Sequence, residues 1–215
     1  MTVNKRNYQK EMEKIIQGFG EERKSLLLHS CCAPCSSAVL EKLQEIFEVT
    51  VFYYNPNISE DAEYRKRVEE QKRLIEAFNL KNPGYPITMV DGEYEPQEFY
   101  RIAKGLEMCP EGGERCFKCY ALRLEKTAQM ASAGKFDYFT TTLTISPLKN
   151  AGKLNEIGEE MALKYRVAFL PSDFKKKEGY KRSIELSKEY DLYRQNFCGC
   201  AFSKAESFKR EQNLK

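Results

Sequence analysis

Ser25-Leu26-Leu27-Leu28-His29, followed directly by Ser30-Cys31-Cys32-Ala33-Pro34-Cys35, is the stretch that decides the fold of this chain. The run up to His29 is short and mostly apolar, which predicts a buried strand. The cysteine-rich part predicts a loop, and Ser36 or Ser37 is expected to cap a helix that runs to about Phe47. A buried strand that leads through a loop into a helix is typical of the opening of an α/β fold.

The rest of the chain alternates between strand and helix patterns. Further strands are predicted at 49–54, 86–90, 138–143 and 167–170, and helices at 5–23, 61–79, 96–104, 119–133, 150–165, 182–190 and after Cys200. This alternation predicts an α/β fold with a mostly parallel sheet flanked by helices. The length of 215 residues suits one good core, so we expect a single α/β domain over 1–215.

Composition limits where the protein acts and what it binds. The segment from Met1 to Lys24 is charged and lacks a long apolar stretch, so it predicts no secretory signal. No segment approaches the roughly 20 apolar residues of a membrane-spanning helix, so we expect a cytoplasmic protein without a membrane partner. In a reducing cytosol, clustered cysteines indicate metal binding or catalysis before structural disulfides. A net charge of +3 is too small to indicate a nucleic-acid partner by itself.

The cysteines fall into three groups, which are Cys31, Cys32 and Cys35; Cys109 with Cys116 and Cys119; and Cys198 with Cys200. The first group follows a strand of the predicted parallel sheet, where α/β proteins bind their ligands. Nucleotide-binding proteins of this architecture carry glycines there so that backbone N–H groups reach phosphate. Thiols replace those glycines here, so we expect no ATP chemistry.

Two of the groups together supply a metal-binding set of thiolates. Cys31 and Cys32 are adjacent, and Cys116 and Cys119 are spaced C-x-x-C at the start of a predicted helix. Four thiolates suit either a zinc ion or a [4Fe–4S] cluster. The length of the chain favours iron–sulfur, because structural zinc normally staples smaller modules.

The remaining thiols have separate interpretations. Cys198 and Cys200 can close a strained, labile disulfide that stores two electrons, or they can be metal ligands. Cys35 is a candidate ligand of a second metal, and Cys109 is interpreted as a bystander. His29 is either a hydrogen-bonded structural residue or part of the site.

A basic segment near the carboxyl end is the candidate RNA contact. It contains Lys175, Lys176, Lys177, Tyr180, Lys181 and Arg182. Aromatic residues among cations suit phosphate neutralisation with base stacking, whereas a plain charge run is usually a solvated face. Asp173 precedes this segment and is a candidate proton donor or oxygen ligand to an added iron. An exposed helix N-cap is the alternative role for Asp173.

The order and context of these motifs resemble a known family, the cobalamin-independent epoxyqueuosine reductases (QueH). The matching segments are Leu27–Cys35, Tyr53–Ile58, Glu63–Arg65, Pro110–Cys119, Thr141–Leu143 with Ser146-Pro147, and most of Asp173–Cys200. They run from the first strand almost to the carboxyl end. Phe197 stands where the family leads us to expect Tyr, and Cys109 is not a family position.

The resemblance implies reduction of epoxyqueuosine to queuosine in the wobble nucleoside of tRNA, the last step of queuosine synthesis. It implies a HUP-like, ATP-pyrophosphatase-like fold, with a cysteine-rich insertion at about 105–120 and a tRNA-contacting segment at about 171–215. By the resemblance, Cys31, Cys32, Cys116 and Cys119 hold a [4Fe–4S] cluster, and Cys198 with Cys200 is a redox-active pair. A second, mononuclear iron held by Cys35 and an aspartate is a further expectation, as is an external low-potential electron donor.

Other functions remain open at the level of sequence. An iron–sulfur tRNA sulfurtransferase should need a glycine-rich phosphate loop after the first strand, which this chain lacks. A non-enzymatic zinc-binding RNA module would be colourless where an iron protein is brown. A plain dithiol oxidoreductase leaves the Cys31-Cys32 pair and the basic segment unexplained.

Overall fold

A parallel β-sheet forms the central layer of the molecule. The computed structural model describes residues 6–212. The strands are β1 Lys24–His29, β2 Phe47–Tyr53, β3 Thr88–Asp91, β4 Tyr138–Thr141 and β5 Ala168–Phe169. They pair in parallel in the order β3-β2-β1-β4-β5. The predicted α/β fold with a mostly parallel sheet is confirmed.

Helices cover both faces of this sheet. They are α1 Tyr8–Gln17, α2 Ala33–Leu43, α3 Asp61–Lys81, α4 Pro96–Ala103, α5 Glu114–Ala133, α6 Ala151–Tyr165, α7 Gly179–Glu189 and α8 Ala201–Gln212. A 3-10 turn follows β4 at Thr142–Ile145. Among residues 6–212, no helix is long and apolar enough to cross a bilayer. The predicted division into one domain with two subregions stays a prediction.

The strand β1 is buried on both faces because it lies between two apolar layers. Leu26 and Leu28 pack into the cluster that includes residues of α2 and α3, and Leu27 packs into the cluster formed largely by α5 and α6. All three leucines are fully buried. Each contributes about 1.5–3 kcal/mol by leaving water. The apolar run in the sequence is therefore the central strand of a sheet covered on both sides.

The strand order puts the loop after β1 at the binding crevice. The chain runs outward from β1 through β2 to β3, and then returns to lay β4 on the other side of β1. His29, the last residue of β1, is in register with Phe52 on one side and Thr141 on the other. In open parallel sheets, ligands bind at such a switch point beyond the carboxyl ends of the strands. The first cysteine group therefore opens into the crevice.

The helix after this loop begins earlier than the sequence predicted. It starts at Ala33, with Pro34 in its first turn. Proline fixes a φ angle that suits the start of a helix and lacks an N–H that would be unpaired there. Ser36 and Ser37 lie inside the helix, where their hydroxyls donate to the carbonyls of Cys32 (2.9 Å) and Pro34 (3.0 Å). The expected capping role of these serines is therefore wrong.

The helix that carries the C-x-x-C motif also begins earlier than expected. Its first residue is Glu114 rather than Cys119, so Cys116 and Cys119 both lie in its first turns. Residues three apart share one face of a helix. Both thiols therefore project from the same side of α5.

Candidate active site

Three thiols converge at the carboxyl end of β1. The Sγ atoms of Cys31, Cys32 and Cys35 all lie within 4.8 Å of one another, and those of Cys31 and Cys32 are 3.8 Å apart. Cys32 is buried, and the other two are partly buried. Thiolates are soft ligands that select zinc, iron–sulfur groups and copper(I). The local geometry therefore suits a soft metal.

The protons of these thiols are shared unequally. Hydrogen bonds from Cys32 and then Cys35 hold the pKa of Cys31 well below its usual value. The interaction with Cys31 raises the pKa of Cys32 to about 12, and the same interaction raises that of Cys35 well above its usual value. Cys31 is therefore the most acidic thiol of the three. A metal ion would replace these protons on binding.

A second cavity lies among the thiols of α5 and of the C-x-C segment. It is lined by Cys116, Cys119, Cys198 and Cys200, together with Arg123 and Lys149 among others. Its volume is about 10 Å³, close to the least space that holds one water molecule. Burial raises the pKa of Cys119 to about 12. These four thiols are thus brought together in a nearly closed slot.

The C-x-C segment is docked onto the turn after β2. Gly199 accepts a hydrogen bond from the Ser59 backbone N–H (3.0 Å), and the Cys198 carbonyl accepts one from Nη1 of Arg67 (3.1 Å). Gly199 has a φ of +117°, and a Cβ there would lie 2.9 Å from Cγ1 of Ile58. Only glycine fits such a conformation and such a close approach. Cys198 and Cys200 are both free thiols.

An open cleft of about 150 Å³ joins the first thiol group to this segment. Its lining includes Cys31, Cys32, Cys35, Arg67, Pro147, Leu148, Lys149, Tyr180, Arg194, Gln195 and Cys198. Cys198 and Lys149 line both the cleft and the slot. The Lys149 Nζ lies 3.5 Å from Cys198 Sγ. Glu111 also lines both cavities, so these three side chains form the junction between them.

Buried cations supply the positive charge around the thiols. Arg67 and Arg123 are 2 % and 1 % exposed. Burial opposes the charge on Lys149, but Cys198, Tyr120 and Cys31 together outweigh burial and raise the pKa of the Lys149 ammonium. Nη1 of Arg123 has no hydrogen-bonding partner among the described residues. Soft donors beside unpaired positive charge fit an anionic, thiolate-bound metal group.

Comparison with known proteins identifies the family of this chain. The family model described as "Epoxyqueuosine reductase QueH" matches residues 26–206. The chain belongs to the QueH family. It is 44 % identical to the epoxyqueuosine reductase QueH of Staphylococcus epidermidis, an alignment that covers 94 % of this chain and 87 % of the relative. The protein of the same name from Thermotoga maritima is 38 % identical, with 88 % and 94 % covered.

QueH membership confirms the resemblance drawn from the cysteine motifs and identifies the chain with an oxidoreductase family. It favours a reductase over the sulfurtransferase and the zinc-binding module. The individual metal and redox roles of the cysteines stay predictions. Cys109 lines neither cavity, which agrees with its interpretation as a bystander.

Fewer cations of the basic segment are unpaired in this QueH chain than the sequence predicts. Most of its cations are paired with acids, in the pairs Lys175–Asp173, Lys177–Glu13, Lys181–Glu178 and Arg182–Glu41. Tyr180 lines the cleft, and Lys176 is exposed without an ion pair among residues 6–212. Asp173 lines neither cavity, so its role as proton donor has no support from its position.

Sequence reasoning missed cations that approach the thiols. Arg67 belongs to the predicted helix at 61–79. It is buried against Cys198, and Glu63 four residues earlier pairs with it at 2.7 Å. The i,i+4 spacing was visible in the sequence, but the burial of the pair was not. Arg123 carries no sequence signal that distinguishes it from the surface arginines of a helix.

We expect Gly199→Ala to loosen the C-x-C segment without unfolding the protein, because the methyl group meets Ile58 and the positive φ is strained. Gly105→Ala is the matched control, since its φ is +79° but nothing lies within 4 Å of the new Cβ. Alkylation of Cys198 in the metal-free protein, followed by peptide mass mapping, should accelerate at least tenfold in Gly199→Ala alone. Equal rates in both variants would contradict the docking described above.

Proposed function

We propose that this chain reduces epoxyqueuosine to queuosine in tRNA, in the cleft beside Cys31 and Cys198. The observation that carries this proposal is the convergence of thiols from separate parts of the chain at the switch point of the sheet. Membership of the QueH family supports the reaction and its substrate. Because tRNA is the substrate, we propose that the reaction takes place in the cytoplasm.

The proposed metal ligands are thiols of the first two cysteine groups. Cys31 and Cys32 with Cys116 and Cys119 would hold a [4Fe–4S] cluster, and Cys35 is available to an additional iron. The 3.8 Å approach of the Cys31 and Cys32 sulfur atoms supports one half of the cluster assignment, and the shared face of Cys116 and Cys119 on α5 supports the other half. The approach of Cys35 to the first pair supports its availability to a second metal. When bound, such a group supplies single electrons from an external low-potential donor and a Lewis acid for the oxygen.

The side chains of the cleft supply the proton chemistry. Converting the epoxide to an alkene breaks two C–O bonds, consumes two electrons and two protons, and releases the oxygen as water. Lys149 holds a proton at Nζ at the junction of the two cavities, next to Cys198 Sγ. We propose that Lys149 donates this proton to the departing oxygen. The second proton comes from solvent in the open cleft.

The Cys198–Cys200 pair can match the electron count of the reaction. Forming a disulfide from two thiols releases two electrons, the number that the epoxide takes up, and two protons, which replace those drawn from Lys149 and solvent. Both residues are free thiols on a docked loop, and Cys198 borders the cleft. We propose that the pair buffers electrons and that the external donor reduces it again after each turnover.

The tRNA contact is proposed at the mouth of the cleft. Tyr180 and Leu148 are exposed there, and Arg194 lines the cleft without an acidic partner among residues 6–212. An exposed aromatic ring suits stacking on a splayed base, and unpaired cations suit phosphate. Lys176 is the free cation of the basic segment and extends this surface.

The central test is anaerobic reconstitution with iron and sulfide, followed by incubation with epoxyqueuosine-containing tRNA and a strong reductant. We expect nucleoside mass analysis to show the loss of one oxygen atom from the modified nucleoside. An unchanged mass with fully iron-loaded protein would overturn the proposed reaction.

Two cysteine variants test the proposed metal ligands. We expect Cys116→Ser to lose bound iron and sulfide with an unchanged circular dichroism spectrum, because it removes a proposed ligand. Cys109→Ser should keep wild-type iron content, because Cys109 lines neither cavity. Iron and acid-labile sulfide per chain are the measured quantities. An intact cluster spectrum in Cys116→Ser would sink the assignment.

Lys149→Met should slow a single turnover of iron-loaded enzyme about 100-fold, since a positioned general acid typically contributes 10²–10⁴-fold. Lys153→Met is the control, because Lys153 pairs with Glu156 and lines neither cavity. Rapid quenching and nucleoside mass analysis give the rates. A Lys149→Met rate equal to that of the control would rule out the proton-donor role.

Substitutions of two neighbouring lysines test the proposed tRNA-binding surface. Lys176→Gln should weaken tRNA binding and reduce the slope of log affinity against log salt by about 0.7–0.9, the value for one phosphate contact. Lys177→Gln should change the slope less, because Lys177 is already paired with Glu13 at 2.6 Å. Filter binding over a range of salt concentrations measures both. Identical slopes for the two variants would exclude Lys176 as a contact.

A further inference from the structure

Arg123 differs from the other buried arginines in having no carboxylate partner. Arg67 pairs with Glu63 at 2.7 Å and Arg115 pairs with Glu206 at 3.3 Å. Across residues 6–212, Arg123 makes no ion pair with an acid. Its Nη2 donates to Oδ1 of Asn55, and its Nε donates to Nε2 of His29 at 3.3 Å.

The groups that hold Arg123 do not neutralise it. Asn55 is an uncharged amide, and the imidazole of His29 cannot carry negative charge. A fully buried cation without a counter-charge is strongly disfavoured. A site that keeps such a cation has to supply negative charge from another source.

Thiols that line the same slot as Arg123 can supply this charge, namely Cys116, Cys119, Cys198 and Cys200. Glu111 also lines the slot, but its carboxylate pairs with Arg210 at 3.4 Å and makes no ion pair with Arg123. Nη1 of Arg123 has no hydrogen-bonding partner among the described residues. The guanidinium therefore complements thiolates rather than a carboxylate.

We propose that Arg123 is the resident counter-charge of the thiolate-bound iron group and raises its reduction potential. This inference rests on the proposed metal site and adds a residue that no ligand pattern identifies. Accepting one electron from the external donor adds one negative charge to the bound group. A fixed cation in a low-dielectric interior stabilises that charge, and Asn55 and His29 hold the cation in position. Arg123 is thus a positioning residue rather than a catalytic one.

The test compares midpoint potentials in anaerobically reconstituted full-length protein. We expect Arg123→Gln to make one-electron reduction at least tenfold less favourable, a shift of about 59 mV to more negative potential. Arg123→Lys keeps the charge and should stay near the wild-type potential. Arg65→Gln is the control, because Arg65 is a surface cation whose side chain is 76 % exposed.

A second variant tests the counter-charge role even if Arg123→Gln does not fold. Asn55→Asp is nearly isosteric and keeps an acceptor for Nη2 of Arg123, but it places a carboxylate against the guanidinium. It should therefore neutralise the cation and shift the potential in the same negative direction.

The outcomes separate this inference from the proposed function. Wild-type potential in Asn55→Asp, or an Arg123→Lys shift as large as that of Arg123→Gln, would overturn the counter-charge role while the iron site stands. A wild-type chain that binds no iron would overturn the proposed metal site and this inference with it. Iron content per chain, measured on each sample, distinguishes the two results.

Discussion

The structure depends on the position of β1 between β2 and β4. Leu26, Leu27 and Leu28 bury this strand on both faces, and its last residue, His29, pairs in register with both neighbours. This double pairing fixes where the chain leaves the sheet. Because the strand order reverses at the same place, the loop that follows has to open into a crevice. The first thiol group is therefore held at the end of the central strand of the sheet.

The chemistry of the site follows from what surrounds that loop. Thiols arrive from the start of α5 and from the docked C-x-C segment, while buried or partly buried cations approach from α3, α5 and the segment after β4. Among residues 6–212, carboxylates pair with some of these cations but not with Arg123 or Lys149. Positive charge is therefore left for the thiolates and for whatever they bind. The first thiol group lies where proteins of this architecture bind their ligands, and it could hold a metal ion.

The sequence was a good guide wherever a signal is local. The apolar run of β1, the alternation of strands and helices, and the spacing of the cysteines predicted the sheet and the thiol groups. The pairing of cations could not be predicted, because Lys177 and Arg182 find Glu13 and Glu41 only after the chain folds. The burial of Arg67 is likewise a tertiary effect. The sequence therefore predicts more unpaired cations in the basic segment than the structure contains.

The most direct measurement of the central claim is anomalous diffraction at the iron absorption edge, from crystals of the anaerobically reconstituted protein. We expect iron peaks at the carboxyl end of β1, within bonding distance of the Sγ atoms of Cys31, Cys32, Cys116 and Cys119. Iron bound away from the loop after β1, or a zinc signal alone in that loop, would contradict the account.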